Sequence, residues 1–155
     1  MQLIFVKKTI IYEKNFIIKD KNKKKQTSLN NLLKKSDIIS IHIHADDENI
    51  KFFNNKLFSK MKKNVLLVNT SRGEIVNEED LMKYLKKNLE MKYSTDVLSE
   101  EIISIKNNSL LNYSIKSNQV LITPHIGGMT KEAQFTAYNK ALSNLIKYIS
   151  KRKTK

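Results

Sequence analysis

The feature that most constrains the fold is an alternation between short β-branched or apolar runs and longer stretches with helical spacing of apolar residues. Strands that alternate with helical patterns are typical of βαβ units, in which parallel strands share one sheet. The sequence therefore predicts an α/β fold with a doubly wound parallel sheet. The predicted strands are residues 9–12, 37–43, 65–68, 93–98 and 120–123. The nearly continuous apolar run at 37–43 predicts a strand buried on both faces.

Residues that favour helix N-caps precede the amphipathic stretches. These are Ser28, Asn54 or Asn55, Asn77 and Thr130. Glu78, Glu79 and Asp80 strengthen the signal at Asn77, because carboxylates are stabilised at the positive end of a helix. The apolar stripes are Leu29, Leu32 and Leu33; Leu57, Phe58 and Met61; Leu81, Tyr84, Leu85 and Leu89; and Ala133, Ala137, Ala141, Leu145 and Ile149. Residues 15–26 and 99–119 lack such a pattern and predict loops.

The charge balance is strongly basic, with 29 Lys and Arg against 15 Asp and Glu and a formal net charge of +14. Taken alone, this balance would suggest a partner such as nucleic acid or an anionic membrane surface. However, Arg72 and Arg152 are the only arginines, and the lysines are scattered among asparagines and isoleucines that share A/T-rich codons. Genome composition explains the charge more simply, so the sequence disfavours nucleic-acid binding.

The chain contains no cysteine, which excludes disulfides, a thiolate nucleophile and Cys-ligated zinc. With three histidines, of which His42 and His44 merely flank one strand residue, we predict no metal site. The N-terminus lacks the pattern of a signal peptide, and no apolar run approaches the roughly 18 residues of a membrane span. These features are compatible with a cytoplasmic protein that has no membrane partner.

Four segments together resemble a known family. They are SDIISIHI (36–43), VLLVNTSRGEIVNEEDL (65–81), DVLSEE (96–101) and VLITPHIGGMTKEAQ (120–134). In order and spacing they are similar to the NAD-binding domain of D-isomer-specific 2-hydroxyacid dehydrogenases, and the last leans toward the phosphoglycerate-dehydrogenase-like branch. The resemblance covers residues from about 9 to about 149. It implies a Rossmann-like fold and an NAD-dependent oxidoreductase that transfers a hydride between a 2-hydroxy acid and NAD.

The resemblance assigns the catalytic set to Arg72, Glu101 and His125. Removing the hydroxyl proton of a 2-hydroxy acid needs a base that titrates near neutrality, as His125 would. A carboxylate on the far ring nitrogen would fix the tautomer, and this role falls on Glu101. The planar guanidinium of Arg72 suits a substrate carboxylate. Glu100 is the alternative to Glu101, because Ile102 stands where the family usually has proline.

The same resemblance implies a set of cofactor contacts. Glu13 sits where the family usually has an acid that binds the adenosine ribose, which favours NAD over NADP. Gly127 and Gly128 would let the backbone approach the cofactor closely. His42 and His44 suggest structural or backbone roles rather than catalysis. The expected contacts are Glu13, Thr70, Ser71, Arg72, Asp96, His125, Gly127 and Gly128.

The phosphate-binding fingerprint Gly-x-Gly-x-x-Gly is absent, because the only glycines are Gly73, Gly127 and Gly128. We therefore expect a partial NAD-binding domain (1–150) without its first strand, glycine loop and substrate domain. Residues 1–8 would be the remnant of its first helix, 9–35 a weakly anchored β-loop-α segment, 36–150 the main body and 151–155 a frayed tail. Such a truncated or split gene product should bind NAD weakly and show negligible turnover alone.

Three functional hypotheses follow from the sequence. The first is an enzyme that is active only if another chain, such as a complementing N-terminal chain, supplies the missing half. The second is a non-catalytic remnant or interaction module that forms a homodimer through what remains of the NAD-binding domain. The third, least favoured, is a basic nucleic-acid-binding protein that uses the positive charge.

Overall fold

The computed structural model describes residues 2–4, 27–101 and 107–153. Its sheet has five strands in the order β1-β2-β3-β4-β5, and β2 to β5 are parallel. This arrangement confirms the α/β class and the parallel sheet. The strands are β1 (Gln2–Ile4), β2 (Ile38–His42), β3 (Leu66–Asn69), β4 (Lys92–Thr95) and β5 (Val120–Ile122). The predicted strand at 9–12 and the candidate Glu13 lie outside the described residues.

Five α-helices and one 3-10 turn accompany these strands in the described residues. They are α1 (Leu29–Lys35), α2 (Asn55–Phe58), the 3-10 turn Gly73–Ile75, α3 (Glu78–Lys87), α4 (Ser109–Lys116) and α5 (Lys131–Lys153). The chain divides into two compact units, Met1–Pro124 with the sheet and His125–Lys155 with α5. None of the described helices is both long and apolar enough to cross a membrane.

The helix starts follow the predicted capping chemistry. At each start a side-chain oxygen accepts a hydrogen bond from a backbone N–H in the first turn. The capping residues are Ser28, Asn54, Asn77 and Thr130. Asn54 rather than Asn55 therefore begins α2.

The hydrophobic core lies on one face of the sheet. Ile39, Ile41, Leu67 and Tyr93 point into it from neighbouring strands, together with the predicted apolar stripes of α1, α2 and α3. Leu89 does not join its stripe and is 74% exposed, because α3 ends at Lys87.

The opposite face of the sheet is only partly covered. Ile38, Ser40, Leu66 and Val68 are half-buried, and Leu121 is 63% exposed. The prediction that 37–43 is buried on both faces was therefore wrong. A run of apolar residues predicts burial on both faces, but the burial of each face depends on which residues pack against it.

Two further predictions were wrong. Residues Gln2–Ile4 form a strand rather than the end of a helix, and they pair antiparallel with β2 in the register Leu3↔Ile41. A short helix is marginal, whereas an open strand edge offers unpaired backbone groups. The loop predicted at 99–119 contains α4, which Asn108 caps and Leu110 anchors in the core. Its few apolar residues stand among asparagines and serines, so the helical spacing is short and weak in the sequence.

Candidate active site

Polar residues meet where β2 and β3 end. They line a cleft of about 460 Å³, whose walls are the segments 42–45 and 70–72. Thr70, Ser71 and Arg72, all named from the sequence, form one wall, and His42 and His44 stand in the other. The carboxyl ends of parallel strands are where α/β proteins bind ligands.

A buried asparagine shapes the turn that carries Arg72. Asn69 ends β3, and its Oδ1 accepts from the N–H of Ser71 at 3.0 Å while its Nδ2 donates to the carbonyl of Arg72 at 2.9 Å. The Ser71 hydroxyl in turn donates to the carbonyl of Ile43 at the end of β2. Sequence reasoning missed Asn69 as a positioning residue, although an asparagine at a strand end is a known turn former.

Arg72 itself is exposed at the cleft. Its Nη1 donates to the Ser71 carbonyl at 2.7 Å, and this hydrogen bond holds one edge of the guanidinium against the turn. Its backbone is extended, with φ −147° and ψ 143°. An exposed guanidinium on a rigid turn can approach a carboxylate with two parallel N–H donors.

Gly73 brings the Arg72 turn into backbone contact with a second loop. A Cβ atom at Gly73 would lie 2.2 Å from the carbonyl oxygen of Leu98 and 2.2 Å from the nitrogen of Ser99. Glycine is therefore required here by space rather than by backbone conformation. Its buried position fixes the distance between the Arg72 turn and the loop that leads to Glu101.

Glu101 is half-buried, and its Oε1 accepts from the N–H of Leu98. Glu100, the alternative, is exposed and has a φ of 58° in the left-handed region. The loop before them is fastened by Glu78, whose Oε1 accepts from the N–H of Ser99 at 2.7 Å. Burial raises the pKa of Glu78, against the lowering effect of its hydrogen bonds.

Asp96 lies where β4 ends and joins three strand ends. Its N–H donates to the carbonyl of Asn69 at 3.1 Å, and its Oδ1 accepts from the hydroxyl of Thr123 at 2.5 Å. This carboxylate is half-buried. Its role as a cofactor contact stays a prediction.

His125 belongs to the second compact unit, whereas Arg72 and Glu101 belong to the first. It is exposed, and its φ of 53° lies in the left-handed region. None of the described glycines has a positive φ, and a Cβ added at Gly128 would meet nothing within 4 Å. The structure itself therefore gives no steric reason for glycine at 128. Among the described residues, no group of three or more His, Asp and Glu side chains could hold a metal ion.

A family model decides what this arrangement is. Residues 1–127 match the model described as "D-isomer specific 2-hydroxyacid dehydrogenase, NAD binding domain". The chain belongs to this family. The resemblance in the NTSRG and TPHIGG turns is thereby confirmed, as is the oxidoreductase class of the relatives.

The chain is similar to several individual proteins of this family. It is 37% identical over 120 residues to a glyoxylate reductase of Thermofilum pendens, covering 77% of this chain and 34% of the relative. It is 36% identical over 107 residues to a chloroplastic D-3-phosphoglycerate dehydrogenase of Arabidopsis thaliana, covering 69% and 16%. The chain thus spans about a third or less of these curated relatives.

Solved structures confirm the fold. An acyclic imino acid reductase in complex with NADPH superposes with a TM-score of 0.72 at 30% identity, covering 93% of this chain and 44% of that one. The glyoxylate reductase of Paecilomyes thermophila gives a TM-score of 0.72 at 28% identity, covering 88% and 40%. The chain therefore has a Rossmann-like fold.

Proposed function

We propose that this chain forms the nicotinamide-side part of an NAD-dependent 2-hydroxyacid dehydrogenase, with Arg72 as the ligand of the substrate carboxylate. The observation that carries the proposal is the backbone contact between Gly73 and the Leu98–Ser99 peptide. It holds the turn of Arg72 against the loop of Glu101, so two of the three expected catalytic residues share one rigid support. Family membership supplies the class of reaction.

The residues present fit one part of the cofactor. A cleft of about 460 Å³ is the size of a small-ligand site, and Thr70 and Ser71 are among the residues that line it. With glycines only at 73, 127 and 128, the sequence has no Gly-x-Gly-x-x-Gly turn for the pyrophosphate. When bound, NAD accepts the hydride from the substrate carbon. We infer that Thr70, Ser71 and Asp96, with the segment 125–128, contact its nicotinamide side.

The remaining roles follow from chemistry and family membership. Arg72 binds the substrate carboxylate and polarises the 2-oxygen through its planar donors. His125 takes the hydroxyl proton in the oxidative direction and returns it in reduction. Glu101 is preferred to Glu100 as the carboxylate that orients the base, because it is half-buried and bonded to Leu98. A rigid carboxylate orients a partner better than an exposed one.

The proposal also includes the class of substrate, the cellular location and the partner chain. The substrate is a small 2-hydroxy or 2-oxo acid, and the protein acts in the cytoplasm. A complementing N-terminal chain supplies the phosphate-binding loop and the substrate domain. A second copy of this chain could form a homodimer but could not supply that loop, because its glycines are also only Gly73, Gly127 and Gly128. Alone, the chain is expected to bind NAD weakly and to produce negligible NADH.

Saturation-transfer NMR on the purified chain tests the proposal. With NAD⁺ as the probe, the nicotinamide protons should receive more saturation than the adenine protons. Oxamate, a 2-oxo acid analogue, should strengthen this signal in the native chain but not in Arg72→Ala. Because Arg72 is exposed, that variant should stay folded. Transfer dominated by adenine, or an oxamate effect that survives Arg72→Ala, would overturn the proposal.

A second candidate, a non-catalytic interaction module, is favoured by one observation. The helix α5 exposes Phe135 (70%), Tyr138 (71%), Leu142 (55%) and Leu145 (54%). Exposed apolar residues in such number mark surfaces that associate. Light scattering should then show a dimer that Leu142→Lys returns to a monomer, with no NAD signal in either form.

A further inference from the structure

The carboxylate of Glu78 joins three pieces of the first unit. It stands in the first turn of α3, its Oε1 accepts from the N–H of Ser99 at 2.7 Å, and its Oε2 accepts from Nδ2 of Asn108 at 2.8 Å. Asn108 is itself the N-cap of α4, since its Oδ1 accepts from the N–H of Leu111 at 2.9 Å. One side chain thus fastens both the loop before Glu101 and the start of α4 to α3.

Its neighbours in the same helical turn do not share this position. Glu79 is exposed, and Asp80 turns toward α2, where its Oδ2 accepts from the N–H of Asn55 at 3.0 Å. Of the three carboxylates in the first turn of α3, Glu78 alone bonds the loop at Ser99. The acidic first turn therefore does more than complement the helix dipole.

The hydrogen bond between the N–H of Ser99 and Glu78 is adjacent to two other contacts of the same loop. The Leu98–Ser99 peptide is the one that Gly73 packs against, and the N–H of Leu98 donates to Oε1 of Glu101. Gly73 packs against this peptide, and Glu78 accepts a hydrogen bond from its N–H group. Any shift of Ser99 therefore moves the donor that orients Glu101.

We propose that Glu78 is a positioning residue, which acts through Ser99 and Leu98 to hold the carboxylate of Glu101 in place. The inference deepens the proposed function, because it gives Glu101 a defined orientation for its catalytic role. Glu78 does not itself touch the substrate cleft at 42–45 and 70–72. Its ionised form suits the task, since two acceptor oxygens meet two N–H donors.

Burial adds a condition to this arrangement. Desolvation raises the pKa of Glu78, and the nearby charge of Glu100 acts in the same direction. Lys51 lines the same cavity as Glu78, Glu79 and Glu100. A raised pKa means that the folded chain favours the protonated form of Glu78 more than the unfolded chain does, so burial works against the two hydrogen bonds that the ionised carboxylate accepts.

Amide hydrogen exchange on this chain tests the positioning role without cofactor or substrate. In Glu78→Ala the amides of Ser99 and Leu98 should both exchange at least ~10-fold faster, the loss expected for one charge-assisted hydrogen bond. The amide of Leu81, which bonds Asn77 inside α3, is the internal reference and should change less than ~2-fold. The matched control is Glu79→Gln, which removes a charge from the same turn.

A donor–acceptor exchange provides the rescue. In Glu78→Gln the new amide faces the donating amide of Asn108, so one bond is lost. Adding Asn108→Asp restores an acceptor there and keeps an oxygen for the Leu111 cap. The double variant should bring Leu98 exchange back to within ~3-fold of the native rate.

Two results would overturn the positioning role. One is faster exchange at Ser99 with an unchanged Leu98 amide, which reduces Glu78 to a local cap. The other is a double variant that exchanges at Leu98 as fast as Glu78→Ala, although it again presents an oxygen to Ser99 and a matched partner at 108. If Glu78→Ala accelerates Leu81 equally, the double variant decides. Because no step uses NAD, failure of the cofactor experiment leaves this measurement intact, and the reverse holds as well.

Discussion

A Cβ atom on Gly73 would lie 2.0 Å from the carbonyl carbon of Leu98. No rotamer change relieves such an overlap, because both partners are backbone. The turn that bears Arg72 and the loop that bears Glu101 are consequently one structural piece in the first unit. Changes on either side should be felt on the other.

Gly73→Ala should therefore destabilise the chain. Separating the two segments costs about 1–3 kcal/mol or more, since overpacked sites force backbone shifts. Urea unfolding followed by circular dichroism measures this loss. Gly128→Ala is the matched control, because its Cβ would meet nothing within 4 Å and its φ is not positive. That change should be neutral or slightly stabilising, and equal losses in the two variants would refute the contact.

Asn69→Asp should loosen the Arg72 turn while conserving size. The new carboxylate still accepts from Ser71 but places a second acceptor against the carbonyl of Arg72, where Nδ2 now donates at 2.9 Å. A buried mismatch of this kind costs about 1–3 kcal/mol. The exposed Asn112→Asp serves as control. An Asn69→Asp chain as stable as native in urea would remove Asn69 from the positioning role.

The free energy of unfolding should depend on the protonation of Glu78 in mildly acidic solution. Its pKa is raised in the folded chain by burial, so the native state holds this proton more tightly than the unfolded state. The stability gained is full below the ordinary carboxyl pKa of 4.5 and is lost as the pH rises through the higher pKa of the folded chain. The unfolding free energy of native chain minus that of Glu78→Gln should therefore fall with rising pH. A difference that stays constant or rises with pH would contradict the effect of burial on Glu78.

Gln119→Glu should be the most damaging of these changes. The buried Nε2 of Gln119 donates toward the carbonyls of Leu85, Asn88 and Met91 at 3.0–3.2 Å, and its Oε1 accepts from the hydroxyl of Tyr113. A carboxylate there would face three carbonyl oxygens and cost about 3 kcal/mol or more at neutral pH. Thermal unfolding at pH 7 and pH 4 checks this, because protonation should recover part of the loss. Tyr113→Phe, which removes a single bond, should cost about 1 kcal/mol.

The sequence predicted those features that depend on residues close to one another in the chain. Ser28, Asn54, Asn77 and Thr130 begin helices because their side chains bond the first turn, which depends on neighbours within three residues. The placement of Arg72 at a strand end followed from its segment in the same way. These features need no knowledge of distant packing.

What escaped prediction depends on distant partners. Glu78 and Asn108 are 30 residues apart, and Gln119 bonds carbonyls 28 to 34 residues away, so no pattern in the sequence marks them. The strand at Gln2–Ile4 likewise depends on the edge of β2. The role of His125 relative to Arg72 and Glu101 rests on the family resemblance and remains a prediction.

The thinly covered face of the sheet and the apolar side of α5 have a consequence for handling the protein. Leu121 and Phe135 are exposed to water on the chain as described, yet the formal net charge is +14. Mutual repulsion between molecules then keeps these surfaces apart in dilute buffer, and added salt shortens its range to about 3 Å at 1 M. The chain should thus be most dispersed at low ionic strength and should precipitate as salt is raised, with sulfate more effective than chloride.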